Sequence, residues 1–427
     1  MGRFKKINYI ILLMFLALGL LKLYDFVNSE GLVSFKESEA VGNLDQTKEQ
    51  KEDKEESEEE NKQEINIVAV GDFLIHKEIL ETQYDEATDS YDFKNTLQYV
   101  KPYLEKADLA IGNMEGTLSG IENYWFSGYP SFNAPDELAD AMKWAGIDVV
   151  NNINNHSLDR DNKGYNRTRQ TLEEKGFDII GTRKSVEDNR YIINDVKGIK
   201  VGIISYSYTV VAEGGGRGLN GSLIDETLYP LMNTFREDTI DSDLEEMKEQ
   251  INNMRSDGAE VIIFYMHWGD EYALEPNELQ VKMAQYLTDE KVDIIFATHP
   301  HSLQPIDVLT SSDGTKETPV IYSMGNFLSS QRTERIQNPY TEDGVIVSIN
   351  ITKDKNNNEI KIEYPKYLPT WVNWYEKNGK LFYEVVPATK NNEPYLTEEG
   401  KTRVVESFNR SKEILESYSD KVKLFEE

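Results

Sequence analysis

Cysteine is absent from all 427 residues. Disulfides and thiolate metal ligands are thereby excluded, and an exported chain built this way fits a bacterial surface better than an animal secretory pathway. Histidine is nearly absent as well: the chain has five, His76, His156, His267, His299 and His301. Positive charge is scarce, with 46 Lys and Arg against 76 Asp and Glu, a net charge of -30. Residues 48–64 hold nine acids and four lysines, only -5 of that total, so most of the acidity belongs to the folded body. This balance argues against nucleic acid as a partner, and any anionic ligand needs local cations or a metal. There is no G-x-x-x-x-G-K-[ST] loop, so the chain is not itself a P-loop nucleotide-dependent ligase.

Long apolar runs are also lacking, with one exception. Arg3, Lys5 and Lys6 precede an apolar run from Tyr9 to Leu21; beyond Lys22, Leu23, Tyr24, Phe26 and Val27 extend it toward spanning length. A lysine near the end of such a helix snorkels to the interface. A cleaved signal peptide is the competing reading, but no small-x-small site follows the run. We therefore expect a signal anchor over residues 1–28, a single-pass transmembrane helix with the remainder outside the cell. Residues 29–64 are polar and rich in Glu and Lys, the composition of a disordered acidic linker.

From residue 65 short apolar runs alternate with amphipathic segments. Strands are expected at 65–72, 108–113, 147–152, 176–181, 200–207, 260–267, 292–298, 319–326 and 344–351. Helices are expected at 92–106, 135–146, 164–175, 242–257, 276–289 and 397–425. The fold class is α/β, a layered sandwich with mixed sheets: a largely parallel, covered core that gains antiparallel strands toward the C-terminus. One domain, 65–427, is expected to divide into a motif-bearing core (65–330) and C-terminal strands and helix (331–427).

Four of the five histidines fall at or just past the C-terminal end of an expected strand, and His76 lies four residues past Asp72, which ends the first. In open α/β sheets that edge lines the binding crevice. The same strand ends carry Asp72, Asn113, Glu115, Asn155, Asp159, Glu271 and Asn326. Imidazole, carboxylate and amide oxygen form a ligand set suited to Mn, Fe or Zn. Two such ions activate water and stabilise an in-line displacement at phosphorus.

The ordered blocks GD, GNxE, NNHSLD, HWGxE, HPH and SMGNF, from Val68 to about Leu328, resemble the capsule-synthesis CapA family, the poly-γ-glutamate synthesis proteins, a branch of the calcineurin-like metallophosphatase fold. The segment FNAPDELADAMKWAGIDVVNNINNHSLD (132–159) resembles that family throughout. The resemblance implies one or two divalent ions held by Asp72, Glu115, Asn155, His267, His299 and His301, with Glu115 bridging. It implies His156 as general acid, with Asp159 and Glu271 orienting histidines from behind. It also implies membrane placement beside poly-γ-glutamate or its precursor, an amide ligase and small integral membrane subunits.

Two departures from the wider fold stand out. Its first block carries Asp-x-His, whereas Asp72-Phe73-Leu74 lacks that histidine, and His76 substitutes only if its loop curls back. Glu115 stands where those enzymes use a bridging Asp. The site therefore serves either a metal-dependent hydrolase acting on a phosphoester or amide, within capsule synthesis or apart from it, or a non-catalytic polymer-binding or assembly subunit. Two loops remain: EGGGRGLNG (213–221) is a flexible loop or an anion cradle assisted by Arg217, and ENYWFSGYPSF (122–132) is a substrate wall or packs on the sheet.

Overall fold

Alternation in INIVAVGD sorts the first strand, β1 (Lys62–Phe73), between two cores. Ile65, Ile67 and Ala69 face one side, and Val68 and Val70 the other, as a period of two requires. The computed structural model describes residues 61–390 and 393–425. The expected anchor over 1–28 and most of the linker over 29–64 lie outside the described residues, although β1 already begins within the linker at Lys62. Among the described residues no helix is long and apolar enough to cross a membrane.

The principal elements after β1 are α1 (Lys77–Gln83), β2 (Leu109–Met114), α2 (Glu137–Ala145), β3 (Val149–Asn151), α3 (Asp161–Glu174) and β4 (Asp178–Ile180). A second series holds β5 (Ile192–Val196), β6 (Ile199–Tyr208), α4 (Ile240–Ser256), β7 (Val261–His267), α5 (Glu278–Asp289), β8 (Ile294–Thr298), β9 (Ile306–Thr310) and β10 (Glu317–Ile321). The chain ends with β11 (Asn326–Leu328), β12 (Asp343–Asp354), β13 (Lys366–Lys377), β14 (Lys380–Pro387) and α6 (Glu398–Leu415).

These strands make two mixed sheets. The first has the order β14-β13-β12-β1-β2-β3-β4, with β11 paired to β1. The second runs from Thr234–Phe235 through β6-β7-β8-β10-β9, with β5 on β6. In both, the central strands are parallel, and β12 adds to β1 antiparallel, as expected for a late strand with no crossover helix. The sheets pack face to face: Ile67, Ile111 and Val149 from the first meet Val201, Ile263 and Phe296 from the second. Helices cover the outer faces. Leu138 and Met142 of α2 pack on Val70 and Val150, and Leu244 of α4 and Met283 of α5 on Phe264 and Ile295. The layers are thus helix, sheet, sheet, helix. At α5 the Asn277 side chain and Gln280 close a reciprocal capping box.

Three expected elements differ. The helix over 92–106 is two single turns, Lys94–Leu97 and Lys101–Leu104; Pro102 in the second has no N–H to continue a longer ladder. The strand over 319–326 divides, with Ile321 ending β10 in one sheet and Asn326 starting β11 in the other. Gly325 between them has φ +64, a turn that glycine takes without strain. The last helix stops at Leu415, and Lys423–Leu424 then pairs with Lys366–Tyr367, burying Val422 between the sheets.

Candidate metal centre

Strand register builds the site from both sheets. In the first, Asp72 of β1 lies level with Asn113 of β2 and with Asn326 of β11, and Asn113 with Asn151 of β3. In the second, His267 at the end of β7 lies level with Thr298 of β8 and with Ser207 of β6. All four central strands point their carboxyl ends the same way in their sheet, so side chains one or two residues past those ends converge. Gly71 explains the GD block: a Cβ there would lie 1.9 Å from the Gly325 carbonyl oxygen. Only glycine lets β1 pass so near the SMGNF turn, where the Asp72 amide donates to that same oxygen at 3.0 Å.

Two buried donor sets result, one of Glu115, His267 and His299, the other of Asp72, Glu115 and His301, each with ligand atoms within 4.8 Å of one another. Glu115 belongs to both. Its Oε1 lies 3.7 Å from His267 Nε2 and 3.6 Å from His301 Nε2. Asn155 joins the first set, its Oδ1 2.7 Å from His267 Nε2, and Asp72 Oδ2 sits 3.2 Å from His301 Nδ1. His299 and His301 reach inward on unusual backbone, φ 103 and φ 55, around Pro300. Such non-glycine conformations persist only where the surroundings enforce them.

The electrostatics favour a cation. Glu115 is buried with neither carboxylate oxygen hydrogen-bonded, and His299 Nδ1 is likewise buried without a hydrogen bond, while Asp72 Oδ2 has the His301 ring beside it. Burial, and then the neighbouring Asp72 charge, hold the Glu115 carboxyl well above its usual range. Burial and the adjacent histidines push His267 and His299 well down, so both are neutral with lone pairs available. Burying an uncompensated carboxylate costs several kcal/mol, a cost that one or two divalent ions remove. Imidazole, carboxylate and amide donors with orphaned lone pairs fit such an ion.

Beside this cradle His156 Nδ1 lies 2.8 Å from Asp159 Oδ2. A carboxylate accepts only, so Nδ1 carries the proton and Nε2 is left for chemistry. The Phe132 amide donates to the same Asp159 oxygen at 2.7 Å, and the Phe132 ring stands edge-on to both His156 and His76.

The surrounding partners include Asn113 and Asn326, which the strand-end pattern singles out, and Asn220, Thr298, Asn151, Asn154 and Tyr208, which it does not. Asn220 Nδ2 reaches Asp159 Oδ1 at 3.3 Å from the turn after Arg217–Leu219; its Asn-Gly dipeptide was the available signal. Thr298 Oγ1 lies 3.0 Å from His267 Nδ1. Asn113 donates to Asp72 Oδ1 at 2.7 Å and accepts from Asn151 and Asn154. Tyr208 packs its ring 4.6 Å from His299. Asn326 Oδ1 lies 3.1 Å from His301 Nδ1.

Three expected site residues stand elsewhere. His76 is outside both donor sets; its Nδ1 faces the Leu74 carbonyl at 3.2 Å, because the residue caps α1 instead of curling back. Glu271 is exposed beyond the end of β7 and holds no histidine, acting on Glu115 only through its charge. Arg217 Nη2 is committed to Asp243 at 2.6 Å and to Thr239, which ties its loop to α4 and offsets its charge, while Nη1 is buried without a partner. The loop itself is ordered into short strands, Val210–Val211, Arg217–Leu219 and Ser222–Leu223. In ENYWFSGYPSF, Phe132 packs inward while Trp125 and Tyr129 are exposed.

Residues 66–331 match the family described as bacterial capsule synthesis protein PGA_cap. The capsule biosynthesis protein CapA of Bacillus anthracis is 27% identical over 293 residues, 68% of this chain and 64% of that protein. The PGA biosynthesis protein CapA of Bacillus subtilis (strain 168) is 26% identical over 286 residues, 67% of each. The chain thus spans about two thirds of the length of the curated relatives it matches. Solved structures with some likeness include a putative 5'-nucleotidase from Staphylococcus aureus in complex with alpha-ketoglutarate. It has a TM-score of 0.40 and 13% identity, over 81% of this chain and 58% of that one. A novel phosphatase from Mycoplasma pneumoniae has a TM-score of 0.40 and 14% identity, over 72% and 93%. Those scores are too low to carry an argument of their own. The family match covers more than half of the chain: this protein belongs to the bacterial capsule synthesis proteins, the CapA family.

Proposed function

We propose that this chain is a membrane-anchored, extracytoplasmic component of poly-γ-glutamate capsule synthesis or export, with a metallophosphatase-like hydrolytic centre. The observation that carries the reading is Glu115, a buried carboxylate with no hydrogen bond, shared by two donor sets. Asp72, Glu115, Asn155, His267, His299 and His301 would hold Mn, Fe or Zn. When bound, a divalent ion supplies Lewis acidity toward a phosphoester or amide oxygen. His156, protonated on Nε2 as well as Nδ1, gives a proton to the leaving oxygen or nitrogen. Asp159 steadies the resulting imidazole and fixes its tautomer. The anchor at residues 1–28 would set this work at the outer face of the membrane, beside an amide ligase and small membrane subunits.

A specific observation favours a second reading, an assembly or polymer-binding subunit without turnover: no histidine follows Asp72 closely, and His76 points to the Leu74 carbonyl. One set of variants separates the two. Full-length protein in detergent is assayed for metal by mass spectrometry, and for hydrolysis of bis-p-nitrophenyl phosphate and γ-glutamyl anilides. Hydrolysis that vanishes in His156→Ala while metal is retained supports the hydrolase. Metal and polymer production that survive His156→Ala but fail in His299→Ala support the assembly role. No metal in the wild type after reconstitution sinks the hydrolase and leaves a fold recruited for polymer binding or assembly.

A further inference from the structure

The metal cradle gathers buried acids at the carboxyl end of β1, whereas a cavity nearer the start of that strand is ringed by lysines. Asn66 and Val68, near the start of β1, line a cavity of about 1130 Å³ between the first sheet and α6. That exceeds the roughly 300–1,000 Å³ of sites that enclose most of a drug-sized ligand. Its interior is apolar: Val68, Ile346, Leu368 and Phe408 are buried along its wall. Tyr99 and Tyr395 close one side with rings stacked 3.8 Å apart.

Its rim is cationic. Lys106, Lys390 and Lys423 line it, all exposed, and none has a carboxylate partner among the described residues. The Lys390 ammonium lies 5.2 Å above the Phe408 ring, which draws it over the apolar wall. Lys412 is paired with Glu416, whose carboxylate also accepts from Tyr367, so neither adds free charge. Glu393 is the remaining acid of the lining, against three ammonium groups without a carboxylate partner among the described residues. In a chain of net charge -30, three such lysines around one apolar cavity are a local reversal of sign. An apolar interior with a rim of one charge recognises a molecule built the same way, with the opposite charge at its head.

We propose that this cavity binds a single-chain anionic amphiphile. The hydrocarbon chain lies against Leu368 and Phe408, and the phosphate or carboxylate head meets Lys106, Lys390 and Lys423. The site is independent of the metal centre and of any hydrolysis there.

Full-length protein is titrated with hexadecyl phosphate, hexadecanoate, hexadecanol and inorganic phosphate, each below its aggregation concentration. The same titrations follow with the K106E/K390E/K423E variant, whose exposed positions leave the core untouched, and with Leu368→Trp, which narrows the cavity. We expect the two anionic amphiphiles to bind the wild type at least about tenfold tighter than hexadecanol, a difference that the charge-reversed variant abolishes. Leu368→Trp should weaken all three long-chain probes. The tighter of the two heads identifies the natural one as phosphate or carboxylate. Equal binding of hexadecanol, unchanged affinity in the charge-reversed variant, or inorganic phosphate binding as tightly as its hexadecyl ester would each overturn the proposal.

Discussion

The two halves of the crevice are made of different chemistry and held by different means. The first sheet gives oxygen: Asp72, Glu115 and Asn155, backed by an amide relay in which Asn151 and Asn154 hold Asn113 and Asn113 holds Asp72. The second sheet gives nitrogen: His267, His299 and His301, of which His299 and His301 are placed by left-handed backbone around Pro300. The oxygen half accumulates negative charge that burial disfavours, whereas the imidazole half is neutral. A cation satisfies both, so the halves should respond alike in the loaded protein and oppositely in the stripped one.

Glu115→Gln and His299→Ala break that comparison most strongly. Each is expected to abolish near-stoichiometric metal, read by mass spectrometry. In chelator-stripped protein Glu115→Gln should raise stability by about 1–3 kcal/mol, since it removes an uncompensated buried charge of similar shape. His299→Ala should lower it by about 1–3 kcal/mol through the cavity left against Tyr208. Denaturant melts decide; two changes of the same sign would refute the charge argument. Next in size is Asn113→Ala, which leaves Asp72, Asn151 and Asn154 each short of a partner. A loss of about 2–3 kcal/mol is expected, together with weaker metal binding. An unchanged melt would mean that the amide relay carries no load.

The oxygen half was the more legible in sequence, because its residues sit on strand ends that apolar alternation marks directly: GD after β1, GNxE after β2, NNHSLD after β3. His267 was equally visible at the end of β7. His299 and His301 were read from the HPH block although a turn places them; what could not be read was the aim of His76, the approach of Asn220, the break in 319–326 and the partner of Arg217. His76 lies only four residues from Asp72, yet capping α1 aims its Nδ1 at the Leu74 carbonyl. Asn220 is over sixty residues from His156 and comes near through a loop with no apolar periodicity at all. The segment 319–326 reads as one strand because its apolar residues are continuous, and a single glycine divides it between sheets. The glycines around Arg217 left its loop open between a flexible segment and an anion cradle, and its partner Asp243 lies on a later helix whose position no local pattern reveals.

His76 sharpens the contrast in another way. Burial pushes its imidazole down to about 4 from an ordinary value near 6.5. Between those values the unfolded chain binds the extra proton and the folded one does not. The stability this residue sustains is therefore present above about pH 6.5 and is lost as the pH falls toward 4. Because the ring is partly exposed, we discount the full shift and expect on the order of 2 kcal/mol. His267 and His299 contribute with the same sign, so the observable is the difference between wild type and His76→Gln in metal-stripped protein. The variant should lose less stability on acidification; parallel pH curves would show that His76 titrates normally.

Asn220→Ala tests the smallest effect. The amide is exposed and its one bond here, to Asp159 Oδ1, is long at 3.3 Å, so the stability change should stay near or below 1 kcal/mol. Its consequence should be local. While Asn220 holds Oδ1 of Asp159, Oδ2 is turned toward the Phe132 amide and His156 Nδ1. Without it the carboxylate gains rotational freedom and the Nδ1–H tautomer loses part of its support. Nitrogen-15 spectra of the five histidines read this directly, since protonated and unprotonated ring nitrogens differ in shift. Movement of the His156 signals toward the other tautomer, with the remaining four and the metal content unchanged, would place Asn220 as a positioning residue. Unmoved signals would mean that the Phe132 amide alone fixes Asp159, and that the loop after Arg217 closes over the crevice without steering its proton.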